Sequence, residues 1–173
     1  MTIHGVAPNM IPPETPMDPF RIGPLIKTMW KVSSSLIGMH RERDIAIFHK
    51  LDSILDESRV KSILDYSFFT ECLRFEEREL LYKFGDALQR VENQYLHPVI
   101  QVRATALARE LSQLLRTVGA MFRSDDGEIY RFQPDPIDPT AYDRELDKLH
   151  DQVEKTSKAY RTYRQAVKKR LHV

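Results

Sequence analysis

Apolar residues recur at steps of three and four along most of this chain, and that spacing constrains the fold more than any other feature. One run is Ile100, Ala104, Leu107, Leu111, Leu114, Val118 and Met121; another is Leu146, Leu149, Val153, Tyr160, Tyr163 and Val167. Such steps place side chains on one face of an α-helix, whereas a half-buried strand alternates with period two. A third run follows Pro24: Ile26, Met29, Trp30, Ile37, Ile47, Phe48, Leu51, Ile54 and Leu55. It weakens at His40 and Asp44. The spacing predicts one helix over 24–55 rather than two broken near Gly38, because a glycine inside a helix costs only about 1 kcal/mol against alanine. Proline at the first helical position suits its start.

Between these runs the chain reads as shorter pieces. A helix is expected over 75–96, with Leu81, Phe84, Leu88, Val91 and Tyr95 inward and Glu76, Glu77 and Glu79 at its electropositive end. Pro98 then removes a helical N–H, and the stripe changes phase, so a new helix is expected over 98–122. Its alanine- and leucine-rich composition predicts the most central position. Residues 56–74 read as irregular, with one turn near Val60–Asp65. The aromatic run Tyr66, Phe68, Phe69, Leu73, Phe75 is expected to plug one end of the core. The 123–139 segment reads as a long loop, turning at Asp125-Asp126-Gly127 and anchored by Ile129, Tyr130 and Phe132. Pro139, after an Asp138 cap, opens the last helix, which runs to about Leu171.

Six of the ten prolines lie in residues 1–24. Repeated proline blocks helix and sheet and favours an extended path. The expected organisation is therefore a proline-rich arm over 1–23 and a helical domain over 24–173. The fold class is all-α: a mostly antiparallel bundle of four main helices. A length of 173 residues suits one core, and six glycines disfavour a turn-rich β-sandwich.

The order of elements resembles a set of uncharacterised bacterial helical proteins over roughly residues 40–172. The likeness is carried by Ile47-Phe48 in the first helix and by Tyr95-Leu96-His97-Pro98 before the leucine-rich one. It implies a bacterial helical bundle and no activity. Some of those proteins carry membrane-spanning helices ahead of this domain; no span is expected here.

Nothing has the spacing of a catalytic, cofactor or metal signature. No two of the six histidines lie three to five apart, so no local two-histidine clamp exists. Asp147, His150, Asp151 and Glu154 share one side of the last helix, but a di-iron bundle needs a second such helix and two further glutamates. Leu146, Leu149 and Val153 claim the inward face, so the cluster is expected in solvent. His40 and Asp44, four apart, read as a polar pair hydrogen-bonded for its own satisfaction. Cys72 lacks the electropositive setting of a reactive thiolate and, being single, has no intramolecular disulfide partner. No secretory signal is apparent, so the protein is expected to be cytoplasmic.

The last helix is electrically polarised. Asp143, Glu145, Asp147, Asp151 and Glu154 occupy its first half; Lys155, Lys158, Arg161, Arg164, Lys168, Lys169 and Arg170 occupy its second. The helix dipole favours this order, but only over the final turn. With a net charge of +1, any pull on an acidic partner must come from a local patch of this kind. The expected function is a non-catalytic protein–protein interaction or regulatory subunit, with Arg161, Arg164, Lys168, Lys169 and Arg170 contacting the partner. Self-association is a further expectation. The alternative is a nucleic-acid-associated factor using the same basic helix, a weaker reading because Tyr160 and Tyr163 continue the core stripe.

Overall fold

The computed structural model describes residues 22–124, 126–134 and 139–173, with side chains placed over 38–124, 126–134 and 141–173. The chain divides into two compact units, Met1–Ile37 and Gly38–Val173. The expected arm over 1–23 lies outside the described residues, except for its last two positions, which are helical.

The described chain is mostly helical and carries a small sheet. Helix α1 runs Ile22–Ile54, α2 Glu57–Lys61, α3 Phe75–Gln89, α4 Pro98–Met121 and α5 Pro139–Leu171. A π-helical segment, Ser62–Ser67, follows α2, and a 3₁₀ turn, Val91–Asn93, follows α3. The apolar stripes form the core of the second unit. From α1 it takes Ile47, Phe48 and Leu51, with Leu55 just beyond its end; from α4, Ile100, Ala104, Leu107, Leu111, Leu114 and Val118; from α5, Leu149, Tyr160, Tyr163 and Val167. The gap in the α5 stripe between Val153 and Tyr160 is filled by Thr156, which is fully buried. Its hydroxyl donates to the Gln152 carbonyl at 2.8 Å, so a polar residue sits there without an unmet hydrogen bond.

The helical content fits the expected all-α class, to which the structure adds a small sheet. Strands β1 (Cys72–Arg74), β2 (Phe122–Arg123) and β3 (Ile129–Phe132) pair antiparallel in the order β1-β3-β2. The segment read as a loop beyond α4 is thus a hairpin. Its turn is built by Asp126, whose carboxylate accepts the N–H groups of Glu128 (2.8 Å) and Ile129 (3.2 Å), and by Gly127 at φ 77°. Leu73, Phe122 and Phe132 turn inward from the three strands, and Phe68 meets Phe122 edge-on at 6.1 Å between centroids. The aromatic plug is therefore made by Phe68 and Leu73 with two phenylalanines of the hairpin. Tyr66, Phe69 and Phe75, expected in it, are 67, 78 and 46 % exposed.

The helix expected over 75–96 stops at Gln89, and Val91, expected inward, is 75 % exposed. Side chains from elsewhere capture the backbone after it. The Asn93 amide donates to the Ala87 carbonyl at 2.7 Å, taking the place of a helical N–H, and Lys50 holds its oxygen at 2.9 Å. Gln101 accepts the Tyr95 N–H at 2.7 Å. The Asp44 carboxylate accepts the N–H groups of Leu96 (2.8 Å) and His97 (2.9 Å). A new helix then starts with His97 as cap and Pro98 at its first position.

Candidate interaction surface

The five basic residues singled out on α5 divide into two groups. Arg161, Lys169 and Arg170 are exposed and make no ion pair among the described residues. Arg164 and Lys168 are engaged within the chain. Arg164 forms ion pairs with Asp52 and, at 3.1 Å, with Glu57, while its guanidinium lies 4.7 Å above the Phe48 ring. Lys168 reaches Glu57 at 3.2 Å. Helical spacing accounts for the division. Tyr160, Tyr163 and Val167 point into the core, Arg164 flanks that face, and Lys158, Arg161 and Lys169 follow at steps of three, four and four on the opposite side through Gln165.

The network beneath this surface was not legible in the sequence. Asp52 and Glu57 come from α1 and α2, more than a hundred positions from Arg164. Glu57 is held below its ordinary pKa of 4.5, first by the Lys168 hydrogen bond and then by the Arg164 charge, against the opposing effect of burial. Its stabilising contribution is therefore present above 4.5 and is lost as pH falls through the lower folded value. Below the network, the Tyr95 and Tyr163 hydroxyls share a hydrogen bond of 2.5 Å. Burial pushes both phenols up, so both stay protonated across the physiological range.

Arg164→Met keeps an unbranched side chain beside Phe48 and removes the charge together with the guanidinium's contact with the ring. Asp52 and Glu57 are each about one-third exposed, so water re-solvates them in part. The expected loss is about 1–2 kcal/mol at pH 7, between a surface pair and a buried one. Urea denaturation at pH 7 and pH 3.5 checks this: the gap between parent and variant should narrow at the lower pH.

The remaining candidates resolve plainly. Asp147, His150, Asp151 and Glu154 are exposed, and Asp151 pairs with Lys155 at 2.5 Å. Among the described residues, no three histidine, cysteine or carboxylate side chains converge as a metal set requires. His40 and Asp44 do not act as a pair: His40 is exposed, and Asp44, 1 % exposed, serves the backbone at 96 and 97. Among the described residues, no helix is long and apolar enough to cross a membrane. No protein-family model, curated protein or solved structure matches the sequence.

Proposed function

We propose that the chain is a non-catalytic interaction or regulatory subunit of the cytoplasm that engages an acidic protein surface through the outer face of α5. The observation that carries this is the division of its cations. Arg164 and Lys168 are spent on Asp52 and Glu57, whereas Lys158, Arg161 and Lys169 stand in solvent on one side of a helix whose other side is core. Arg170 extends the positive charge around the helix end. With no acid after Glu154, this surface attracts anions at close range although the whole molecule is nearly neutral. Arg164, a network residue, lies behind the contact face.

The combined reversal Arg161→Glu, Lys169→Glu and Arg170→Glu tests the reading. Circular dichroism and Tm should stay as in the parent, since these exposed side chains make no hydrogen bond or ion pair among the described residues. A partner recovered from the native host with the parent, then purified and reassembled, should lose binding on reversal, with a change of salt dependence. A partner bound equally well by both proteins rejects the surface. Nucleic acid is the competing ligand. It would show as binding by the parent that falls by about 10³-fold or more between 50 and 200 mM salt for six or so phosphate contacts, and that outcome would replace the protein-binding reading.

A further inference from the structure

A cleft of about 470 Å³ lies between α4 and the end of α3 with the connection that follows it. Small-molecule clefts span roughly 300–1,000 Å³. On α4 its lining includes Arg109, Ser112, Gln113 and Arg116. Each of these has a neighbour three or four positions away, so the four side chains adjoin on one side of the helix. Gln89 of α3 faces them: its amide nitrogen lies 3.5 Å from the Ser112 hydroxyl and donates to the Gly85 carbonyl at 3.2 Å. The set is open to ligand. Gln89, Arg109, Gln113 and Arg116 are exposed, and Ser112 is half-buried.

The chemistry of the lining selects the ligand. A cleft for an apolar molecule is walled mostly by apolar and aromatic side chains. Here Leu88 and Ala108 are the apolar residues, and no aromatic ring lines the cleft among the described residues. Four glutamines, a serine and a threonine offer donors and acceptors together. Hydroxyl groups do the same and match such a set. The Gln113 side chain has no hydrogen-bond partner among the described residues. Ser112 donates to the Ala108 carbonyl at 2.8 Å, which leaves its oxygen free to accept. Charge sets a second requirement. Two guanidiniums line the cleft and, among the described residues, no carboxylate does. Arg109 is paired with Glu110 at 2.8 Å, whereas Arg116 makes no ion pair among the described residues. A cation is repelled here, and an anion meets a guanidinium with a full set of N–H donors. Arg109 and Arg116 start about 10 Å apart along the helix axis, within the reach of one small molecule lying between their long side chains.

We infer that this cleft binds a small hydroxyl-rich anion, a sugar phosphate or a sugar acid, with its anionic head at Arg116 and its hydroxyls against Gln89, Ser112 and Gln113. None of these residues belongs to α5, so the site stands whether or not the outer face of that helix meets a protein.

The full chain, ¹⁵N-labelled, would be titrated with glucose 6-phosphate and with gluconate. Glucose, glucosamine and inorganic phosphate serve as neutral, cationic and hydroxyl-free counterparts. Saturable amide shifts at Gln89, Ser112, Gln113 and Arg116 are expected. The better sugar anion should bind about tenfold or more tighter than glucose, the effect of one charge-assisted hydrogen bond. It should also bind tighter than inorganic phosphate, and the comparison of the two sugar anions reads out the preferred head. No saturable binding, shifts confined to another face, or glucose, glucosamine or inorganic phosphate matching the better sugar anion would overturn the assignment. Two exposed positions separate head from body, and Tm should stay as in the parent for both variants. Arg116→Gln should weaken the better sugar anion about tenfold; unchanged affinity there rejects the head position. Gln113→Ala should weaken the sugar anion and leave inorganic phosphate unmoved. Unchanged sugar-anion affinity, or an equal loss for inorganic phosphate, rejects the hydroxyl contacts.

Discussion

Truncating Leu114 to alanine is expected to cost about 3–5 kcal/mol, a large share of the roughly 5–15 kcal/mol that stabilises a typical domain. Leu114 has no exposed surface and sits in α4, the helix that packs against both α3 and α5. Alanine is the better helix former, so propensity opposes the loss and the whole deficit is packing. The cost combines transfer of the removed methyl groups with the cavity left behind, because neighbours with fully buried side chains, such as Leu107 and Val118, relax only partly. The exposed position Val102 on the same helix is the internal control, since its truncation uncovers no core. Urea melts of parent, Leu114→Ala and Val102→Ala should therefore separate the first variant alone. A loss under about 1 kcal/mol at Leu114 would remove α4 from the centre of the core.

That central placement was legible because a helix writes its buried face into the chain at a fixed period. Ile100, Ala104, Leu107, Leu111, Leu114 and Val118 all lie in the core, with Met121 half-buried at the end. The Tyr160–Tyr163–Val167 stripe reads equally well. The sheet did not, because its strands are two to four residues long. No period of two can show over so few positions, and Ile129, Tyr130 and Phe132 read as loop anchors instead. Val91 misled for a related reason. It extends the α3 stripe in register, but the Asn93 side chain bonds back to Ala87 and Asp44 of α1 captures the backbone at 96 and 97. Of the candidate surface, Arg161, Lys169 and Arg170 were readable as charge on a helix. Arg164 looked the same in sequence, and only the approach of Asp52 and Glu57 turns it inward.

Asp44→Ala is the second large effect expected, about 3 kcal/mol. This carboxylate is almost fully buried and accepts two backbone N–H groups, from Leu96 at 2.8 Å and His97 at 2.9 Å. Hydrogen bonds to a charged acceptor contribute about 1.5–3 kcal/mol each, and removing the acceptor leaves both donors unmet. Leu96 is 41 % exposed, so water recovers part of the loss, which keeps the total below a simple sum. Asp44→Asn separates the roles of shape and acceptor. The amide has the same outline but offers one oxygen, and its NH₂ faces a donor, so its cost should fall between parent and alanine. The damage should also be local. The connection at 90–97 joins α3 to α4, and Asp44 is its tie to α1 at the cap of α4. Amide hydrogen exchange at Tyr95, Leu96 and Val99 should accelerate more than at Leu107 or Leu114, because the connection opens before the core does. Uniform acceleration across α4 would mean that Asp44 supports the whole domain. Parent-like stability with parent-like exchange would mean that the two hydrogen bonds carry no weight, and the break between α3 and α4 would then rest on Pro98, Asn93 and Gln101.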